Sequence, residues 1–332
     1  VRYSASDHST CEGVTMPTPP HIGTHYPELK FGRLPNDPTK PRLRLSPFLR
    51  AEYTGQVPPT VDYLSSVKTW PMALNDRLGC CTASAACHCT EAWTTYGSGV
   101  TATPTDQDVL TFYELCSGYN PNNPSSDSGA VMQDCLNIWR KTGIGGHRIG
   151  AFFEINVTDL VELKAALYLF GGLYVGLNCP NSALQQFRNG QPWDVVPNDG
   201  GIAGGHCVHL GCNVNGQDLV VTTWGRLQHV TPRFWARYME EAWAPVSFEW
   251  ISANKAPQGL DVVALNAAFQ QLTGQPGPFP VAPTPTPTPT PVVDAADQAL
   301  VTAVGPWATQ GWHPWTQNIA DAINTWRRAK GI

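Results

Sequence analysis

The sequence predicts an α+β protein with an antiparallel sheet, and three observations predict it. Helical periods dominate between residues 81 and 170. Short β-prone runs dominate after Gly172. Two of those runs flank Asn215-Gly216, a pair that readily takes positive φ and so closes a tight hairpin. Helices first and strands later place the helices beside an antiparallel sheet rather than between parallel strands.

Residues 1–60 read as an extended N-terminal arm. Proline recurs throughout (Pro17, Pro19, Pro20, Pro27, Pro35, Pro38, Pro41, Pro47, Pro58, Pro59), and no helical or strand period persists. Between Lys30 and Arg50 six basic residues face a single acid, Asp37. Such an arm either wraps on its own domain or touches an acidic partner surface.

A globular domain is expected over 61–275. One helix starts near Cys81 and runs toward Tyr96. The small residues Ala83, Ser84, Ala85 and Ala86 permit close packing, and Gly97 to Gly99 end it. A second helix fits Asp106 to Cys116. A third fits Ser128 to Thr142, with Val131, Cys135, Ile138 and Trp139 at helical spacing and Gly143 as its stop. A fourth fits 158–170, with Thr158 as N-cap. The strands are Leu173 to Asn178, Gly205 to Val214 and Gln217 to Trp224. Residues 276–291 form a linker in which Thr and Pro alternate from Pro283 to Pro291. It cannot build a hydrogen-bonded ladder, and as polyproline II its nine repeating residues span roughly 28 Å. Residues 292–332 read as a small helical tail rich in Trp (Trp307, Trp312, Trp315, Trp326), with Ile319, Ile323 and Trp326 on one face and Arg327, Arg328 and Lys330 near the end. Some 40 residues make a poor independent domain, so the tail is expected to dock on its own core or on a partner.

A net charge of -5 supplies no global positive field, so nucleic acid is not an expected partner. No apolar run reaches the roughly 18–20 residues that span a bilayer, and residues 1–20 lack the apolar middle of a signal peptide. The compartment is left open. The ten cysteines do not have the spacing of a small disulfide scaffold. Most read as buried thiols, with one or two disulfides left open, a vicinal Cys80–Cys81 bridge among them. Cys80, Cys81, Cys87, His88 and Cys89 lack the paired Cys-x-x-Cys knuckles of a zinc site, and on a helix Cys87, His88 and Cys89 point in three directions. No metal and no cofactor are expected. Asn156-Val-Thr158 fits a glycosylation sequon, and Asp194 and Asp199 read as solvated loop residues.

The chemistry gathers at Asn75-Asp-Arg-Leu-Gly79-Cys80-Cys81-Thr82-Ala83. A polar loop ends at Gly79 and a helix begins at the cysteine. The free N–H groups and partial positive charge of a helix start favour a thiolate and can hold an oxyanion. Asn75, six residues earlier, adds an amide donor. The second piece is Gly204-Gly205-His206-Cys207-Val208-His209. On a strand His206 and His209 leave opposite faces, so His206 is the expected base and His209 its competitor. The third piece is Val220-Val221-Thr222-Thr223-Trp224-Gly225, across the hairpin. Thr222, sixteen residues after His206, is placed to accept from the imidazole.

In this order the pieces resemble the papain-like cysteine peptidases over about residues 60–250. The resemblance maps the nucleophile onto Cys81, the base onto His206, the oxyanion amide onto Asn75 and the shielding indole onto Trp224. The asparagine that orients the base falls on Thr222, and the aromatic residue that follows the nucleophile falls on Thr82. The 125 and 141 residues from Cys81 to His206 and Thr222 sit at or slightly below the separations of such enzymes. The run from Leu163 to Gly176 resembles the entry into the second lobe. The resemblance implies a two-lobed domain, one lobe helical and one an antiparallel β lobe, acting on a peptide or amide bond. More narrowly, the Asn-Asp-x-x-Gly-x-Cys run is similar to one in papain-like proteins of actinobacteria and their phages. That implies a phage virion or the bacterial exterior as location, and a virion or cell-wall partner for arm and tail. The alternative is a catalytically weak or inactive papain-fold structural protein of a phage virion, a capsid decoration or tail component, binding neighbouring subunits through its arm and tail. An open cleft with Cys81 close to His206 favours the enzyme; a plugged cleft counts against it.

Overall fold

The computed structural model describes residues 10–11, 14–15, 28–49, 57–215, 218–252, 262–274, 276–279 and 323–328. The Thr-Pro linker, Trp307, Trp312, Trp315 and Ile319 lie outside them. The chain divides into two units, residues 1–280 and 281–332. In the second, residues 323–328 are helical.

The first unit is α+β. Strands β1 (Thr10–Cys11) and β2 (Val14–Thr15) pair with each other. The main sheet is formed by β4 (Val61–Asp62), β6 (Ile149–Ile155), β7 (Leu173–Pro180), β8 (Ile202–Val214), β9 (Asp218–Thr223), β10 (Arg226–Val230) and β11 (Met239–Ser247). Its order is β10-β9-β8-β7-β11-β6, with β4 also on β8, and every pairing is antiparallel. The long strand β8, which carries His206, therefore runs through its middle. A third, two-stranded sheet is parallel. There β3 (Arg33–Leu34), from the arm, lies on β5 (Ala130–Val131).

Helix α1 (Cys81–Ser98) packs against β8 and is buried on every face as far as Thr95. Its small side chains allow that close approach. Three of its buried hydroxyls, those of Thr90, Thr94 and Thr95, each donate to the carbonyl one turn back, at 2.7–2.9 Å; the buried Thr82 hydroxyl has no partner among the described residues. Gly99, at φ 76°, ends the helix. Helix α2 (Asp106–Ser117) starts on a reciprocal Thr105–Asp108 capping box.

Two expected helix starts are corrected. Helix α3 begins at Met132 rather than Ser128 and runs to Lys141. Gly129 turns the chain at φ 83°, and Ala130–Val131 are extended because they pair with the arm. Helix α4 (Leu160–Phe170) is capped by Asp159, which accepts from Val161 and Glu162 N–H. The Thr158 hydroxyl is instead 2.8 Å from Asn156 Oδ1. Helices α5 (Asn181–Arg188), α6 (Pro232–Tyr238), α7 (Phe248–Ser252) and α8 (Val262–Thr273) complete the unit.

The described part of the arm lies on its own domain. Lys40 pairs with Asp134, Arg42 and Arg44 with Glu154, and Arg33 with Glu241. Pairs open to water contribute at most about 1 kcal/mol each; only the Arg33 pair is fully buried. The nine cysteines from Cys80 to Cys212 are free thiols.

Candidate active site

Cys81 is the first residue of α1 and is fully buried. The backbone N–H of Cys207, next to His206 on β8, points at its sulfur and favours the thiolate. Burial outweighs that bond and raises the thiol well above its ordinary pKa. In this closed form Cys81 is a neutral thiol.

His206 is also fully buried. Its Nε2 is 2.7 Å from Thr223 Oγ1, and its ring stacks on Trp224 with centroids 4.2 Å apart and planes 15° apart. Among the described residues its Nδ1 has no hydrogen-bond partner. The tautomer that donates from Nε2 to Thr223 leaves the Nδ1 lone pair free. Burial, with the Arg33 charge, lowers the His206 pKa to about 3, so the imidazole is neutral. Trp224 sits at φ 45° and Gly225 at φ 77°; this turn ends β9 and carries the indole over the imidazole.

The expected partner Thr222 is corrected to Thr223. Thr222 pairs across the ladder with His209, so both leave the face opposite to His206. The Thr222 hydroxyl is buried without a hydrogen-bond partner among the described residues. Replacing Thr223 by Ala is expected to lower any turnover about 10–100-fold by freeing the imidazole, while Thr222→Ala stays near wild type. Parallel kcat measurements on the two variants check this.

Asn75 stands just before the helix start, as expected, but its amide is engaged locally: Nδ2 donates to Leu78 O at 3.2 Å. The Asn75 carbonyl accepts from Lys30 N–H of the arm at 3.1 Å. Thr82, after the cysteine, is buried, and its carbonyl accepts from the Tyr174 hydroxyl at 2.8 Å.

Sequence reasoning missed the occupant of the cleft. Residues 30–33 of the arm pass between the Asn75–Cys81 loop and β8. Lys30 O accepts from Trp224 Nε1 at 3.1 Å, and Gly32 N–H donates to Gly205 O at 3.1 Å. Phe31 sets its ring edge-on to His206 and Trp224, at 5.7 and 5.9 Å. Gly32, at φ 143°, is closed in so tightly that a Cβ there would lie 1.7 Å from Gly79 O. Gly205 is matched in the same way, its Cβ position being 2.1 Å from Arg33 O. His206 and its indole are thus covered by the chain's own segment, and Cys81 is fully buried at the helix start. The sequence signal was Phe31-Gly32-Arg33, a lone glycine between an aromatic and a cation in an otherwise proline-punctuated arm.

Behind the site two more histidines are buried. His88 Nε2 is 2.9 Å from Pro71 O, and among the described residues both His209 nitrogens lack hydrogen-bond partners. Burial lowers their pKa values to about 4 and about 3. The sign follows from proton counting. Below about pH 6.5 the unfolded chain protonates these histidines and the folded chain does not, so stability falls as pH drops. Glu91 opposes this, because burial raises it to about 7 and it stays protonated when folded. Three histidines outweigh Glu91 and Glu162, whose carboxyls burial also raises, so unfolding takes up protons near pH 5.5 and stability falls by on the order of 1–3 kcal/mol per pH unit. Urea titrations at pH 7, 6 and 5 are expected to show that loss.

No family model matches the chain, and no curated protein matches its sequence. Solved structures do. Xylellain, a cysteine protease from Xylella fastidiosa, aligns at 14% identity over 68% of this chain and 99% of its own, with a TM-score of 0.53. Digestive procathepsin L 3 of Tenebrio molitor aligns at 14% over 67% and 77%, with a TM-score of 0.43. The bromelain protease of Ananas comosus, in complex with the E64 inhibitor, aligns at 14% over 57% and 99%, with a TM-score of 0.42. The first likeness carries the fold: it is papain-like, helices beside an antiparallel sheet.

Proposed function

We propose that this papain-fold chain is a cysteine hydrolase of peptide or amide bonds, held closed by its own residues 30–33. The observation that carries the reading is the state of His206. One ring nitrogen is anchored by Thr223, one face is covered by Trp224, and the other nitrogen is buried without a partner. An unpaired buried polar group costs about 1–3 kcal/mol; His209 and Thr222 carry that cost too, and what sets His206 apart is the Thr223 anchor and the Trp224 cover on its ring.

With the segment withdrawn, water enters and the desolvation that holds both groups neutral is lifted. The Cys81 proton passes to His206 Nδ1, and the helix start and the Cys207 N–H stabilise the thiolate. The sulfur attacks the carbonyl carbon, an S–C bond forms, and the oxyanion is held by the Cys81 N–H and, once turned from Leu78, the Asn75 amide. His206 gives its proton to the amine as the C–N bond breaks. Water, deprotonated by His206, then releases the acid and restores the thiol. Substrates of this chemistry include proteins and the peptide stems of a cell wall. The test is hydrolysis of fluorescein-labelled casein and of wall peptides by the intact chain and by Gly32→Ala. Turnover in the second, absent from Cys81→Ala in the same background, supports the reading; none in either refutes it.

A second reading is favoured by the fit of the plug. The Arg33–Glu241 pair and the glycine contacts of Gly32 and Gly205 make the arm as well packed as a core element. A papain-fold protein with a permanently filled cleft is a scaffold. In that case the chain is a structural protein of a phage virion, a capsid decoration or tail component, binding its neighbours through arm and tail. Sedimentation of the chain with assembled particles tests this.

A further inference from the structure

The segment in the cleft brings one charged side chain with it. Arg33 is 7% exposed. Its Nη1 donates to Glu241 Oε1 at 2.8 Å and its Nη2 to Asn178 Oδ1 at 2.9 Å. The other Glu241 oxygen accepts from Trp243 Nε1 at 2.9 Å, which fixes the carboxylate. The aliphatic stem lies over Gly176, where a Cβ would come within 2.6 Å of Arg33 Cδ. The guanidinium is within electrostatic reach of Cys81 and His206.

The receiving half of this arrangement belongs to the core. Asn178 and Gly176 sit on β7, Glu241 and Trp243 on β11, neighbours in the sheet. The arm contributes only the cation. With a chain seated in the cleft the Glu241 carboxylate is 8% exposed and already tied to an indole, so an occupant that covers it without bringing a positive charge is costly. One acceptor for each Nη matches the planar fork of a guanidinium better than the single point of an ammonium. At its charged end the pocket opens into a cavity of about 670 Å³, which Arg33, Asn178 and Glu241 help to line.

We propose that Glu241 and Asn178 form a guanidinium-recognising pocket on the cleft, so that the peptide taken by this site carries an arginine where the closed chain places Arg33. The word substrate rests on the hydrolase reading; recognition of the guanidinium does not.

The two are tested apart. In the whole chain, Arg33→Ala vacates the pocket, and melting is followed with N-ethylguanidinium, ethylammonium or no addition. N-ethylguanidinium is expected to raise the Tm of Arg33→Ala by several degrees, ethylammonium by less, and neither to do so in wild type or in Arg33→Ala with Glu241→Gln. Equal shifts in all three proteins overturn the pocket. In the Gly32→Ala chain, peptides with arginine are expected to be cleaved on the order of 100-fold faster than the same peptides with leucine, a preference that collapses in Glu241→Gln. Equal cleavage of the two overturns the assignment of specificity. Guanidinium rescue without any cleavage overturns the hydrolase reading and leaves the pocket assigned.

Discussion

Gly32→Ala is expected to open the cleft. At φ 143° an L-residue is strained, and its Cβ would lie 1.7 Å from Gly79 O, a backbone atom that no rotamer change can move. The segment has no way to absorb the methyl group in place. Backing out, it would surrender the Gly32–Gly205 hydrogen bond and release the Phe31 edge contacts to His206 and Trp224. The expected cost is about 3 kcal/mol of stability, by strain and overpacking together. Hydrogen exchange should show the arm from Lys30 to Leu34 losing protection while α1 and β8 keep theirs. A variant as protected as wild type throughout would mean that the arm accommodates the methyl group and that the fit is looser than it looks.

The second large effect is at Arg33. Replacing it by Ala leaves Glu241 buried with only the Trp243 indole for company, and breaking a buried pair in this way costs about 3–5 kcal/mol. Changing both members together, Arg33→Met with Glu241→Gln, should recover most of the loss, because the charge and its uncompensated partner leave at once. Denaturant midpoints for the two singles and the double give the coupling directly. Near-additive losses would show that the pair is not the anchor of the arm.

How far the sequence disclosed all this depends on the residue. Helix α1 was legible from the Gly79-to-cysteine loop and the run of small residues, and the strands β7, β8 and β9 from β-prone runs around an Asn-Gly turn. Strands β6 and β11 were not. Ile149–Ile155 and Met239–Ser247 are largely buried on both faces, so they show no alternation to read. The Thr222 assignment failed for a geometric reason. Val214 pairs with Asp218 beside the turn, a bulge between Leu210 and Cys212 shifts the register by one, and His209 then stands opposite Thr222; cross-strand partners share a face. His206 leaves the other face, so its partner had to be the neighbour of Thr222. The plug was hidden for a different reason. A segment that is ordered by tertiary contact alone, through glycines that meet glycines, leaves no period in the sequence.

In the proposed hydrolase, Cys81 and His206 are latent and become reactive when residues 30–33 leave. The most direct measurement is labelling by the epoxide E-64 with peptide mapping, on wild type, Gly32→Ala, and Gly32→Ala with His206→Ala. The prediction is slow labelling of Cys81 in wild type, labelling faster by on the order of 100-fold and confined to Cys81 in Gly32→Ala, and its collapse when His206 is removed. Cys81 reacting no faster than the other cysteines in the opened chain, or reacting equally well without His206, would contradict it.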